Sequence, residues 1–301
     1  MKRHGKEKQW KMAVIGDEEK ENMLDEYTFS PKEMLRQKVK GIFRRKNQPM
    51  VSFEGRFPDF ETACGVCGKG YGSDSIFEKV TKAALIVKEG RAAYERDGSV
   101  FYETEYYLQL LSVLYEVFME FGECNVIDFG GSLGSTFFQN KDKLIQFIPK
   151  IQWNVVEQGH FVDWGKSHLE NDKLKFHYLM SEVDRCNLVL FGSSLQYLED
   201  YHVYLKQIAD RNVKYLVIDR LPVSNETWVS VEYVHEPIYE ACYPLHIICE
   251  DELIQEINLL GYELSTTWIK DANEVWQLDN KLIKIKSFVF VKEGNSNADH
   301  A

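Results

Sequence analysis

Long apolar runs are missing from this 301-residue sequence. No stretch approaches the roughly 18 consecutive apolar residues that cross a bilayer. The opening MKRHGKEKQW lacks the apolar segment of a secretory signal, so the expected location is cytoplasmic. Cysteine is scarce as well. Six cysteines are too sparse for a disulfide framework, and reduced, mostly buried thiols are the default in that compartment. Positive charge is in deficit: 36 Lys+Arg against 47 Asp+Glu leave a formal charge of −11. That balance argues against a surface built to neutralise phosphate backbones, and no nucleic-acid partner is expected. What the chain does have is apolar and aromatic content, 44% and 13%. This suffices for a sizeable core in about two domains or one large one.

The acidity is uneven. Residues 1–49 carry a net +5 and the remainder −16. Within this basic arm Pro31 opens a short amphipathic stretch through Met34, Leu35, Val39, Ile42 and Phe43, with Arg36, Lys38, Lys40, Arg44, Arg45 and Lys46 around it. Residues 31–46 therefore suit peripheral contact with an anionic membrane such as the inner membrane. A solvated arm or a helix lying on the body fits the same pattern. Asn47-Gln48-Pro49 reads as a linker, and the polar tail 293–301 as disordered.

From 103 to 121, Tyr107, Leu110, Leu111, Leu114, Phe118 and Phe121 recur at spacings of three and four, which predicts a helix stopped by Gly122. The period then changes. Strands are expected at 125–129, 153–157, 174–179, 187–191 and 214–219, alternating with helices at 135–148, 161–170 and 200–210. Such alternation predicts an α/β fold with a parallel sheet, right-handed crossovers and helices on both faces. A last helix at 251–260 precedes strands at 262–269 and 283–291, whose short connection makes them an antiparallel pair at the sheet edge. The expected organisation is an arm at 1–49, an N-terminal helical segment at 50–122, a Rossmann-like domain at 123–292 and the tail.

The strongest chemical signal is the first glycine turn, Asp128-Phe-Gly130-Gly131-Ser132-Leu-Gly134. Ligands of open parallel sheets bind outside the carboxyl ends of the strands, and a glycine turn lets backbone come close to a nucleotide. A dinucleotide fingerprint has glycines at relative positions one, three and six. Here they fall at one, two and five. The pattern acidic-x-Gly-x-small-x-Gly resembles instead the nucleotide turn of class I S-adenosylmethionine-dependent methyltransferases, with Ser132 where a third glycine often sits. A second acid belongs at the end of the next strand, where a carboxylate can accept hydrogen bonds from both ribose hydroxyls. Glu157 stands there, followed by Gln158.

Further strings extend the likeness: Gly70-Tyr71-Gly-Ser-Asp-Ser-Ile76, Tyr94-Glu95-Arg96-Asp97, Val155-Val-Glu-Gln158, Ser193-Ser-Leu-Gln-Tyr-Leu198, Ile218-Asp-Arg220 and Tyr239-x-x-x-Tyr243-Pro244. Over residues 53–291 the chain resembles a bacterial family of class I methyltransferases named by similarity alone, whose members often accompany surface-polysaccharide genes. The resemblance implies a Rossmann-like class I methyltransferase fold, mainly parallel with an antiparallel C-terminal edge and preceded by N-terminal helices. It also implies S-adenosylmethionine as cofactor, and leaves the methyl acceptor open.

Met180 and Ser181, after the third strand, are candidates for the adenine edge, and Ser193, Ser194 and Gln196, after the fourth, for the methyl exit. Each could equally cap the element that follows. Arg96 could clamp a cofactor carboxylate, belong to a lid, or pair within a structural connection. Cys64-Gly-Val-Cys67 is half of a zinc site without a second half, so no metal is expected. Residues 220–249 read as loop-rich and hold Glu232, His235, Glu236, Tyr239, Tyr243 and His246 among prolines. An insertion at this position can wall an acceptor pocket, with His235 or Tyr243 as general base for a sugar or glycan hydroxyl. Tyr239 and Tyr243 could instead fill core. Two other functions remain open: an NAD-dependent nucleotide-sugar enzyme, and a catalytically silent nucleoside-binding partner protein. The sequence leaves the oligomeric state open.

Overall fold

The computed structural model describes residues 51–67, 74–236, 238–269 and 275–293. The chain divides into units 1–49 and 50–301, and the described residues belong to the second. The readings of the basic arm with its helix at 31–46, of Gly70-Tyr71 and of the tail from 294 onward lie outside the described residues.

In chain order the elements begin with β1 (Val51–Phe57), α1 (Phe60–Val66), α2 (Asp74–Lys88) and a small hairpin of β2 (Tyr94–Arg96) and β3 (Ser99–Phe101). There follow α3 (Leu108–Phe121), β4 (Cys124–Phe129), α4 (Ser135–Phe147), β5 (Ile151–Val156), α5 (Gly159–His168) and β6 (Leu174–His177). Then come β7 (Leu188–Gly192), α6 (Tyr201–Asp210), β8 (Tyr215–Ser224), β9 (Trp228–Val234) and β10 (Ala241–Cys249). The chain closes with α7 (Glu250–Leu259), β11 (Tyr262–Trp268), β12 (Val275–Leu278) and β13 (Lys281–Lys292).

Strands β6, β5, β4, β7 and β8 lie side by side and parallel. Antiparallel β13 joins β8, and β11 joins β13 on its far side. The chain thus runs outward from β4 through β5 to β6, then returns to β7 on the other side of β4. The sheet's topological switch point lies between β4 and β7, which pair from Val126↔Leu188 to Phe129↔Phe191. This mainly parallel sheet with an antiparallel C-terminal edge is a Rossmann-like fold, as expected from the sequence.

Strand alternation divides the core. Val126, Leu188, Leu190 and Val217 face one side, packed on Leu114 of α3 and Phe137 of α4. Ile127, Val189, Phe191, Leu216 and Ile218 face the other, packed on Leu205 and Ile208 of α6 and Leu253 and Ile257 of α7. Both faces are covered, which is why these strands read as continuous apolar runs.

Three parts differ from expectation. Helix α3 starts at Leu108, not near 103, because tertiary bonds hold the preceding backbone: Gln139 Nε2 donates to Glu105 O at 2.5 Å, and Tyr107 N donates to Asn140 Oδ1 at 3.0 Å. Its end is as expected, with Gly122 at φ 69° and its N–H donating to Phe118 O. The segment before α3 holds β1 and the β2–β3 hairpin as well as helices.

The largest correction concerns 220–249, which is not loop-rich. Strand β8 continues to Ser224, and β9 and β10 form an antiparallel sheet with β1. Among the described residues, the strand pairing that joins this sheet to the parallel one is that of β10 with β8 at Ile248↔Val223 and Cys249↔Ser224. At residue 244 β10 therefore has a partner on one side only, a position at which a strand tolerates proline. Helix α1 covers one face of the small sheet through Phe60 and Ala63, against Val229, Val231 and Cys242. A disulfide joins Cys67, the residue after α1, to Cys242 on β10, which corrects the expectation of reduced thiols throughout. Cys124 and Cys249 are buried free thiols, and Cys64 is exposed. Among the described residues no helix is long and apolar enough to cross a membrane, and no cluster of His, Cys, Asp or Glu could hold a metal.

Candidate active site

A cavity of about 710 Å3 opens at the carboxyl ends of β4, β5, β6 and β7 and runs from the switch point to the β9–β10 sheet. It brings together most residues singled out from the sequence: Asp128, Gly130, Gly131, Ser132, Glu157, Gln158, Ser193, Ser194 and Tyr243.

The turn after β4 is shaped by its backbone. Gly130 and Gly134 have φ of 70° and 84°, and Ser132 has φ of 52°. All three occupy the left-handed region that glycine enters freely and other residues enter at a cost. The turn also admits no side chain at its first two glycines. A Cβ on Gly130 would lie 2.6 Å from Ser194 Cβ, and one on Gly131 2.5 Å from Asp128 Cγ. Gly134 does not line the cavity. It caps α4, where a Cβ would lie 3.3 Å from Leu174, so its glycine serves the packing of the helix on β6.

Asp128 is buried at the end of β4. Trp153 Nε1 donates to its Oδ2 at 3.0 Å, while no described residue hydrogen-bonds its Oδ1. Burial pushes its pKa up to about 7. Glu157, at the end of β5, reaches back to the turn: Ser132 N donates to its Oε1 at 3.3 Å and Gln158 N to its Oε2 at 2.6 Å. Burial raises its pKa, against those two backbone donors. A carboxylate thus sits at the N–H of Ser132. In a dinucleotide site the turn's N–H groups face a pyrophosphate; here the N–H of Ser132 faces Glu157 instead.

On the β6 side Met180 and Leu179 give the cavity an apolar wall, with Tyr178 beside them. Ser181 is not there. The single 3-10 turn at Met180–Glu182 sends neighbouring side chains to different sides, and Ser181 lines a separate surface depression with Glu123, Asp184 and Arg211. After β7, Ser194 Oγ donates to Phe129 O and so ties the ends of β7 and β4 together. Ser193, at φ 68°, accepts from Gln196 Nε2 at 3.1 Å.

At the β9–β10 end the wall includes Asp97, Tyr197, Glu232, Val234, Tyr239 and Tyr243, while Arg96 and Arg220 line the cavity near enough to Asp128 for their charges to lower its pKa against burial. Arg96 Nη2 donates to Gln139 Oε1 at 2.6 Å, and Arg220 Nη2 donates to Gly192 O at 3.2 Å, with Arg220 Nε 3.2 Å from Asp219 Oδ2. Asp219 is itself held by the hydroxyls of Tyr107 and Ser287. Tyr243 stacks edge-on against Tyr197.

His235 does not reach the cavity. Side chains alternate along β9, so Glu232 and Val234 face the cavity while Tyr233 and His235 point away. The rings of Tyr233 and His235 stack at 6.4 Å, and His235 Nε2 lies 3.4 Å from Ser52 Oγ. Glu232 and Arg220 were not among the favoured site residues. The period-two pattern of Trp228 to Val234 was the available signal for Glu232; for Arg220 it was its place after a strand-ending Asp219.

No family model matches this chain, and no curated protein matches it. Solved structures do. The CcbJ methyltransferase from Streptomyces caelestis is 12% identical with a TM-score of 0.40, covering 60% of this chain and 89% of that one. An amino pentose methyltransferase from Micromonospora echinaspora, solved with bound S-adenosylmethionine, is 10% identical with a TM-score of 0.39, covering 63% and 92%. An S-adenosylmethionine-dependent methyltransferase from Clostridium acetobutylicum is 11% identical with a TM-score of 0.37, covering 71% and 98%. All three scores are below 0.5, so the strand order and register define the fold here, and these likenesses stand beside them.

Proposed function

We propose that the protein is an S-adenosylmethionine-dependent methyltransferase that methylates a hydroxyl of a sugar or glycan precursor. The observation that carries this reading is the pair of acids at the switch point. Glu157 lies against the glycine turn at the end of β5, and Asp128 keeps one oxygen, Oδ1, without a partner among the described residues. Two carboxyl groups beside a turn that admits no side chain at Gly130 or Gly131 suit a ligand with a ribose and a positive charge. Glu157 would take the ribose hydroxyls, Asp128 the ligand's ammonium group, Met180 and Leu179 the flat face of the base, and Gly130 and Gly131 the close backbone approach. The sulfonium supplies an already electrophilic methyl group, so the protein's part is to align the acceptor and exclude water.

The sugar acceptor is supported by the aromatic and polar wall of Tyr197, Tyr239, Tyr243 and Glu232, and by the resemblance to methyltransferases that accompany surface-polysaccharide genes. Two guanidinium groups in the cavity wall near Asp128, Arg96 and Arg220, suit a ligand that also carries a carboxylate or phosphate.

The test is transfer of labelled methyl from S-adenosylmethionine to a panel of sugars, nucleotide sugars and glycan fragments, beside thermal protection by S-adenosylhomocysteine. Protection with labelled product supports the proposal. Protection by NAD and none by S-adenosylhomocysteine would return the site to a nucleotide-sugar enzyme. Protection without transfer to any acceptor fits a silent nucleoside binder.

A further inference from the structure

We propose that Glu232, and neither His235 nor Tyr243, is the general base of the acceptor site. The inference rests on the methyltransferase reading and names the group that takes the acceptor's proton. Its ground is placement. Glu232 lies on the cavity face of β9, directly opposite Tyr243 on β10 and Phe53 on β1. It is a buried acid in a cavity wall. Tyr197 Oη donates to its Oε2, and no described residue hydrogen-bonds its Oε1. One oxygen is anchored and the other is left for a ligand. His235 fails on strand parity. Tyr243 fails on chemistry, because burial raises the pKa of its phenol, already about 10 for a free tyrosine, and makes the phenolate scarcer still.

The groups that face Glu232 come from four elements: Tyr243 from β10, Phe53 from β1, Tyr197 from the turn after β7, and Asp97 from the β2–β3 turn. Burial raises its pKa first, Tyr197 lowers it by hydrogen bonding, and Asp97 raises it again, for a value of about 7. A carboxylate near 7 is a stronger base than an exposed one and is still half ionised at neutral pH. In the step, the acceptor O–H gives its proton to Glu232 Oε1 while its oxygen lone pair forms the bond to the methyl carbon. The carbon–sulfur bond electrons go to sulfur, leaving a neutral thioether, a methyl ether and a protonated Glu232.

A carboxylate at the methyl-facing end also distinguishes two cofactor forms that differ by one positive charge. The experiment measures Kd for S-adenosylmethionine and for S-adenosylhomocysteine from pH 5.5 to 8.5, in the wild-type protein and in Glu232→Gln, Tyr197→Phe and Asp128→Asn. The preference for the sulfonium over the thioether should rise about tenfold as Glu232 ionises around pH 7. That rise should be absent in Glu232→Gln and shifted to higher pH in Tyr197→Phe. Asp128→Asn controls for the other cavity acid that titrates near 7: a rise lost there and kept in Glu232→Gln would overturn the proposal. A pH-independent preference in the wild type would also overturn it while leaving the methyltransferase reading intact. Failure of both ligands to bind at any pH would overturn that reading itself. Tyr197→Phe keeps the proposal testable should Glu232→Gln fail to fold.

Discussion

Glu95, Asp128 and Glu232 each keep a carboxyl group out of water, and burial pushes all three up to about 7. In the unfolded chain the same groups titrate near 4. Below that pH they are neutral in both states and cost nothing. Between about 4 and 7 the unfolded chain releases protons that the folded one keeps, so stability falls as pH rises and the loss is complete above 7. Glu95 is the cleanest site for a test, because it does not line the cavity. Ser135 Oγ donates to its Oε1 and Gly98 N to its Oε2 at 3.2 Å. Glu95→Gln should recover on the order of 1–3 kcal/mol at pH 8 and little at pH 4. Urea unfolding at the two pH values checks this, and an equal change at both would refute the assignment.

Ser132 offers a second test at the same scale. Its φ of 52° is the conformation glycine adopts at no cost. Ser132→Gly should leave S-adenosylhomocysteine affinity unchanged or improved, whereas Gly130→Ala, whose Cβ would meet Ser194 Cβ at 2.6 Å, should abolish binding. Calorimetry on the two variants checks both.

Among the elements, β9 and β10 wall the end of the cavity proposed for the acceptor and are the ones the sequence concealed. The strands of the parallel sheet were legible because both of their faces are buried, which leaves runs such as Asn125-Val-Ile-Asp-Phe129 bounded by glycines. The turn after β4 and Glu157 were legible because the spacing of glycine and acid is local. Strands β9 and β10 lacked both aids. Glu232 and Ser230 interrupt the apolar run of β9, and Pro244 lies inside β10, tolerated only because that part of the strand has one neighbour. The partner of β9, β1, lies about 180 residues earlier, and local pattern carries no signal for such a pairing. The same distance hid the bond between Cys67 and Cys242, 175 residues apart. That bond fastens α1 to the face of the β9–β10 sheet turned away from the cavity. Replacing both cysteines by serine should cost about 2–5 kcal/mol in denaturant unfolding. No change in midpoint between oxidised and reduced wild-type protein would contradict the role given to it here.

For the whole molecule, the switch point between β4 and β7 and the antiparallel sheet beyond β8 enclose one cavity with two chemically different ends. The end proposed for the nucleoside is built by the parallel sheet, and the end proposed for the acceptor is added by a sheet drawn from both halves of the chain. The central claim is the identity of the ligand at the first end. Isothermal calorimetry with S-adenosylhomocysteine and with NAD, on the wild type and Glu157→Ala, addresses it most directly. The expected result is one-to-one binding of S-adenosylhomocysteine, no heat with NAD, and a loss of about 1–3 kcal/mol in Glu157→Ala as the ribose hydrogen bonds go. Binding of NAD without S-adenosylhomocysteine, or unchanged S-adenosylhomocysteine affinity in Glu157→Ala, would contradict it.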